Sequence, residues 1–285
     1  MEEYACGPTV TQRYFTEAVE LLGRGKFSVV HRTRRREDGR PVALKKVQVF
    51  EMGTSERTEC MNEIRLLQSM THPHIIMYLD CVMERNELTV VMELAEHGDL
   101  AGLIREAALT GVALTEAAVL RNFTQIADAL KYMHERRVMH RDIKPANVFI
   151  TSVAPTSCVK LGDLGVGRYF SSKTDMTHST VGTPYYMSPE CIQAGGGGGG
   201  GYDFKSDTWS LGCLLYELAA LRSPFYREKI NFYLLGKRIT SGTFDPLPGG
   251  FSAQLRELVD SLLRVDVAAR ASAADAYERA VAAAG

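Results

Sequence analysis

Val138-Met139-His140-Arg141-Asp142-Ile143-Lys144-Pro145-Ala146-Asn147-Val148-Phe149-Ile150 sets a carboxylate, an amine and a carboxamide close together, between a helix-like stretch and a β-branched run. Asp142 can accept a hydroxyl proton or orient it. Lys144 can offset charge on a transferring phosphoryl group, and Asn147 offers an oxygen to a hard cation. Downstream, Gly162-Asp163-Leu164-Gly165 adds a second carboxylate in a glycine-hinged turn. Asp163 suits Mg²⁺, which takes oxygen ligands and shares them with substrate phosphates. Each of these residues alone reads equally well as a turn-capping polar group. Together and in this order they describe phosphoryl-transfer chemistry.

Upstream, Gly23-Arg24-Gly25-Lys26-Phe27-Ser28-Val29-Val30 lies between two strand-like segments. Two glycines one residue apart let a hairpin aim backbone N–H groups at phosphates. The same pattern occurs in many tight turns. A dinucleotide fold requires a helix directly after the loop, whereas Val29-Val30 continue as strand. In the strand Val42-Ala43-Leu44-Lys45-Lys46, alternation puts Ala43 and Lys45 on one face. A small residue beside a base and a lysine reaching phosphates then favours Lys45 over Lys46 as the functional amine. A plain solvated pair of lysines is the competing reading. Glu63, on the flank of the Ile64/Leu67 stripe, can pair with Lys45 or be an exposed helix charge.

The first stretch, to about Met92, reads as strands at Leu21-Leu22, Ser28 to His31, Val42 to Val49 and Leu88 to Glu93, around one helix from Thr54 to Met70. After Gly98 the pattern turns helical. Val119, Phe123, Ile126, Leu130 and Met133 repeat at steps of four and three behind an N-cap at Thr115. Ser206 to Leu221 is apolar nearly all round, as a buried helix is. Ala268 to Ala284 reads as a terminal helix. The expectation is a small strand-rich lobe and a larger helical one, with function at their junction. Gly195 to Gly201 reads as a surface insertion without chemistry, because ordering glycine costs the most backbone entropy.

Composition narrows the class. The chain has 285 residues, 45% hydrophobic and 24% charged, as in ordinary globular proteins. A formal net charge of -1 gives no global attraction to nucleic acid or an anionic membrane. The Arg32, Arg34, Arg35, Arg36 cluster reads as a solvated strand end. Six cysteines (Cys6, Cys60, Cys81, Cys158, Cys191, Cys213) lack disulfide or zinc spacing, so reduced thiols are expected. No secretory leader, lipidation motif or apolar run long enough to span a bilayer is read, which makes a soluble intracellular protein the expectation.

With those residues in view, the chain resembles the eukaryotic protein kinases. Met139 to Ile150, Lys160 to Gly165, Phe170 to Thr174 and Val181 to Glu190 are similar to the NIMA-related branch, particularly its short members without a long C-terminal regulatory tail. The resemblance covers roughly Arg13 to Tyr277. It implies an α+β, bilobal kinase fold over residues 13–281 after a short extension 1–12. The N-lobe would run to about 92, with one regulatory helix, the hinge would be 93–95 and the C-lobe 96–281.

It implies Ser/Thr phosphorylation of proteins with ATP and Mg²⁺. Lys45 would bind the α/β-phosphates and pair with Glu63. Asp142 would be the catalytic base, and Asn147 and Asp163 would hold the metal. Leu22, Gly23, Gly25, Phe27, Ser28, Val30, Ala43, Met92, Glu93 and Ala95 would line the nucleotide, with Met92 gating the pocket behind the hinge. Asp207 and Trp209 would belong to the helix supporting the catalytic loop, and Glu190 would pair with Arg270. Leu67, Tyr78, His140 and Leu164 match the family's hydrophobic spine.

Lys144 with Thr183 resembles the serine/threonine rather than the tyrosine pattern. Ser179 matches the activating phosphosite, with Ser171, Ser172, Thr174, Thr177 and Thr180 as lesser candidates. Leu164 in place of phenylalanine, and Ser28 in place of a third glycine, are familiar in this branch. Ala271, where a proline is common, touches only a peripheral feature. Expected partners are protein substrates and an upstream activating kinase, with no nucleic acid or membrane, and the chain is expected to be a monomer. The expected address is the cytoplasm, with centrosome, spindle, ciliary base or nucleus as sites. The alternatives are a pseudokinase scaffold and a small-molecule phosphotransferase. The first would lack Lys45, Asp142 or Asp163, and the second would lack the peptide platform of Gly182-Thr183-Pro184 and Ser188-Pro189-Glu190.

Overall fold

The computed structural model describes residues 14–25, 28–49, 53–84, 86–152, 157–163, 184–194 and 202–285. The chain divides into two compact units, one ending at Ala95 and the other beginning at Glu96. The first is strand-rich and the second mostly helical, the α+β division expected from the sequence.

The first unit is a five-stranded antiparallel sheet in the order β1-β2-β3-β5-β4. Its strands are β1 (Tyr14–Arg24), β2 (Ser28–Arg35), β3 (Pro41–Gln48), β4 (Tyr78–Glu84) and β5 (Glu87–Glu93). Alternation along β3 does what the pattern predicts. Val42 and Leu44 are buried with Val91, and Leu79 packs against them. Ala43 and Lys45 face the other way, opposite Met92 and Val90 of β5. Helix α1 (Thr54–Gln68) begins where the Gly53 N–H donates to Glu56 Oε2 at 2.8 Å, and it buries Cys60, Ile64 and Leu67. β4 was not expected. Its residues are mostly half-buried rather than alternately buried and exposed, so no period-2 signal marks it.

The second unit is built from α2 (Leu100–Thr110), α3 (Glu116–Glu135), a two-stranded ribbon of β6 (Val148–Ser152) and β7 (Cys158–Leu161), and the short α4 (Pro189–Gln193). It continues with α5 (Phe204–Ala220), α6 (Phe232–Ser241), α7 (Ala253–Leu262) and α8 (Ala273–Ala284). Thr115 caps α3 as predicted, its hydroxyl accepting the Ala118 N–H at 3.2 Å. α5 is the core of this unit. Trp209, Leu211, Cys213, Leu214, Leu215 and Leu218 have no solvent exposure (0%), and Trp209 stacks on Phe225 with ring centroids 5.6 Å apart. α5 approaches α7 so closely that a Cβ on Gly212 would stand 2.7 Å from the Leu262 Cβ.

The terminal helix starts at Ala273, not at Ala268. Ser272 caps it by accepting the Asp275 N–H, and Arg270 is turned inward instead. Its guanidinium donates to both Glu190 oxygens, at 2.7 and 2.9 Å, and to the carbonyls of Lys205 and Arg264. A buried arginine with all three nitrogens hydrogen-bonded in this way outweighs the helix propensity of the alanines around it. The Glu190–Arg270 pairing is thus present as expected.

Candidate active site

Asp207, in the first turn of α5, organises the segment quoted at the outset. It is fully buried, and its carboxylate accepts the backbone N–H groups of His140 and Arg141 at 2.8 Å each. It also takes a bond of 2.9 Å from His134 Nε2, at the end of α3, and one from the Tyr202 hydroxyl. Burial alone would raise the Asp207 carboxyl. The hydrogen bonds from His134 and Tyr202 outweigh it and hold the group below its ordinary value. Burial, with the Asp207 charge second, pushes the Tyr202 hydroxyl well up. The loop is thereby clamped through its own backbone, which holds Arg141 in the left-handed region at φ 70°.

His140 follows from the same clamp. It is fully buried, and burial lowers its pKa, so it is neutral. Its Nδ1 lies 3.2 Å from the Asp142 N–H, so it must accept there, and the proton sits on Nε2. Nε2 then donates to the Gly162 carbonyl at 3.1 Å. One neutral imidazole thus ties the segment carrying Asp142 to the one carrying Asp163.

Asp142 itself is more exposed, its side chain retaining 52% of its accessibility. Its Oδ2 accepts Lys144 Nζ at 2.7 Å and Asn147 Nδ2 at 2.8 Å. Nδ2 of Asn147 also donates to the Asp142 carbonyl at 2.7 Å. Among the described residues, Oδ1 of Asp142 is left open to accept a hydroxyl proton. The Asn147 amide nitrogen is fully committed, which turns its Oδ1 outward as an oxygen ligand. The Asn147 carbonyl accepts the Gly162 N–H at 2.9 Å, placing Asn147 and Asp163 at the same end of the β6–β7 ribbon. Asp163 has φ 59°, a second left-handed residue in the site.

One amide oxygen and one carboxylate fit Mg²⁺, which keeps waters and phosphate oxygens as its other ligands. They do not form a cage of the zinc type. Among the described residues no cluster of three or more His, Cys, Asp or Glu could hold a metal ion.

The remaining expected residues lie in the first unit. Gly23, Val30, Lys45 and Val90 form one row across β1, β2, β3 and β5. The glycine turn therefore opens beside Lys45, with Ala43 next on the same face and Met92 opposite it. The Gly25 N–H closes the turn onto the Ser28 carbonyl at 2.7 Å. Leu22 is exposed. Glu63 is half-buried on α1, on the face shared by Cys60 and Leu67. At the end of β5, the Glu93 N–H donates to the Met77 carbonyl and its carboxylate accepts the Met77 N–H at 3.2 Å.

Phe27, Leu164, the candidate phosphosites from Ser171 to Thr180 including Ser179, Thr183 and the glycine run 195–201 lie outside the described residues. Sequence reasoning missed His134, Tyr202 and Gln125. The signal for His134 and Gln125 was weak: a polar residue beside the apolar stripe of α3.

The class defined by this fold and site is matched independently. The model of the protein kinase domain covers residues 16–281. The chain belongs to the protein kinase family. Its curated relatives are NIMA-related serine/threonine kinases, and the chain is of that branch. It is 38% identical over 262 residues to the probable serine/threonine-protein kinase nek3 of Dictyostelium discoideum, covering 92% of this chain and 23% of that protein. It is 38% identical to mouse Nek2 (87% and 56%) and 37% identical to zebrafish Nek8 (89% and 35%). The chain thus spans well under two thirds of the length of these relatives.

Proposed function

We propose that this protein transfers the γ-phosphoryl group of ATP to serine or threonine hydroxyls of proteins. The carrying observation is the clamp on the catalytic segment, with Asp142 Oδ2 committed to Lys144 and Asn147 and its other oxygen open. In the step, the hydroxyl oxygen bonds to Pγ as the bridging Pγ–O bond breaks. The hydroxyl proton passes to Asp142, and ADP leaves. Lys144 offsets charge on the transferring group, and Lys45 binds the α/β-phosphates. Asn147 and Asp163 would hold Mg²⁺, which would neutralise charge on the phosphate oxygens. Positioning and electrostatics do most of the work in this chemistry, so a site with two backbone-clamped segments suits it.

The NIMA-related resemblance supports the rest of the reading. Phosphorylation of Ser179 would raise activity by adding about -1.5 to -2 charge that can pair with arginine such as Arg141. The chain would work as a monomer in the cytoplasm, at centrosome, spindle or ciliary base, in cell-cycle or microtubule regulation.

The test is phosphate transfer from Mg²⁺-ATP to a generic protein substrate. Asp142→Asn is expected to reduce the rate by about 10²–10⁴-fold with nucleotide binding retained. In the same assay, Ser179→Ala should block activation in phosphorylated preparations. A wild-type protein that binds Mg²⁺-ATP yet transfers nothing, even when phosphorylated at Ser179, would replace this reading with a scaffold. Imaging of the tagged protein tests the address.

A further inference from the structure

Among the described residues the β6–β7 ribbon has two strands, and an isolated pair of this kind is marginal in water. β7 pairs with β6 along one edge, through Val148↔Leu161, Phe149↔Lys160 and Ile150↔Val159. Its other edge meets a side chain of α3. Gln125 Nε2 donates to the Ser157 carbonyl at 3.0 Å, and Gln125 Oε1 accepts the Val159 N–H at 2.8 Å. A carbonyl and an N–H two residues apart are the pair that a neighbouring strand would engage. The carboxamide therefore acts as a one-residue third strand, presented from a helix whose adjacent Ile126 is fully buried.

Asp163 is four residues beyond Val159, at the end of the strand so held. The Gly162 carbonyl and N–H are fixed from the other side by His140 and Asn147. Ser157 to Gly162 is thus gripped near both ends, by α3 at the start and by the catalytic segment at the finish. Loss of the first grip lets the strand shift or fray while the second is strained. A carboxylate that must meet a metal with near-ideal octahedral geometry is sensitive to small displacements of its backbone.

We propose that Gln125 is a positioning residue for the metal site, holding β7 so that Asp163 is presented to Mg²⁺. The inference rests on the kinase reading for the identity of the metal–nucleotide ligand. Gln125 acts only through the backbone and touches neither nucleotide nor metal.

The test compares wild type with Gln125→Leu, which keeps the volume and removes both bonds, and with Gln125→Glu, which keeps the acceptor for Val159 but cannot donate when ionised. Binding of Mn²⁺ with ADP is followed by electron paramagnetic resonance, which needs no turnover. Amide exchange over 157–161 and thermal melting are measured alongside. Gln125→Leu is expected to stay folded, to lose protection at Val159, and to bind Mn²⁺ about tenfold more weakly, the lower end of what losing a supporting hydrogen bond costs a metal site. Its ADP affinity without metal should be unchanged. Gln125→Glu should fall between the two.

Unchanged Mn²⁺ affinity with lowered melting temperature would overturn the proposal and leave Gln125 a purely structural residue. Wild-type protein that binds no Mn²⁺ with ADP would overturn it as well. Wild type that binds Mn²⁺–ADP but transfers no phosphate would defeat the kinase reading alone, and the binding ratio would still decide the role of Gln125.

Discussion

At the scale of single residues, Glu217 of α5 is a largely shielded acid that is poorly compensated. Glu217 accepts one hydrogen bond, from the Tyr186 hydroxyl at 2.6 Å, and burial raises its carboxyl above the ordinary value while that bond only partly offsets the rise. Because the folded pKa is the higher one, the contribution to stability is complete below the unfolded value of 4.5 and is lost as pH rises through the folded value. Glu217→Gln keeps an acceptor for Tyr186 and removes the titration. Melting curves across pH should show the variant gaining on wild type as pH is raised from about 4.5, with the gap levelling at higher pH. A constant gap at every pH would mean that Glu217 does not ionise at a cost. Asp207 is the contrast, fully buried but supplied with four donors. Asp142, Lys144, Asn147 and Asp163 stood out in the sequence because they lie close together along the chain, whereas Asp207 entered only through the family resemblance, its partners His134, His140 and Arg141 lying 66 to 73 positions away. Gln125 and His134 did not stand out, since their partners are 34 and 73 positions away. A helix stripe reveals burial but not which backbone group a flanking polar side chain meets.

At the scale of elements, close approach of two helices decides one position. Gly212 sits in the middle of α5, where glycine is ordinarily a loss of about 1 kcal/mol relative to alanine. Here a Cβ would lie 2.7 Å from the Leu262 Cβ and 3.0 Å from a Leu263 methyl. Gly212→Ala should therefore destabilise despite its better propensity, by about 1–3 kcal/mol from overpacking. Denaturant unfolding measures it, and a neutral or stabilising result would show that α7 can move away. Helices with a clear stripe or a capping hydroxyl, α1 and α3, and the all-round apolar α5 were readable to within a few residues. β4 was not, because an edge strand whose residues are mostly half-buried has no alternation to read. The start of α8 was misplaced because Arg270 must turn inward, a tertiary demand invisible to propensity.

At the scale of the whole molecule, ties between distant stretches of chain carry much of the stability of the helical unit. Arg270 and Glu190 are 80 positions apart, and the guanidinium is buried at 0% exposure. Arg270→Met should cost about 3–5 kcal/mol, because Glu190 keeps a half-buried charge with its partner gone. Burial alone would raise the Glu190 carboxyl, but the hydrogen bonds from Arg270 and Ser206 hold it below its ordinary value. Its contribution is therefore present above pH 4.5 and lost as pH falls through the lower folded value. Acid unfolding of wild type should accordingly be steeper than that of the variant. Parallel acid-unfolding curves would remove Glu190 from the account. The clamp on Asp207 has a further consequence during synthesis. His140 and Arg141 leave the ribosome 67 and 66 residues before the carboxylate that receives their N–H groups. At 5–20 residues per second, the nascent catalytic segment waits roughly 3–13 s for its template. During that interval Asp142 has no fixed position, so a nascent or truncated chain ending before α5 carries every residue of the motif and none of its geometry.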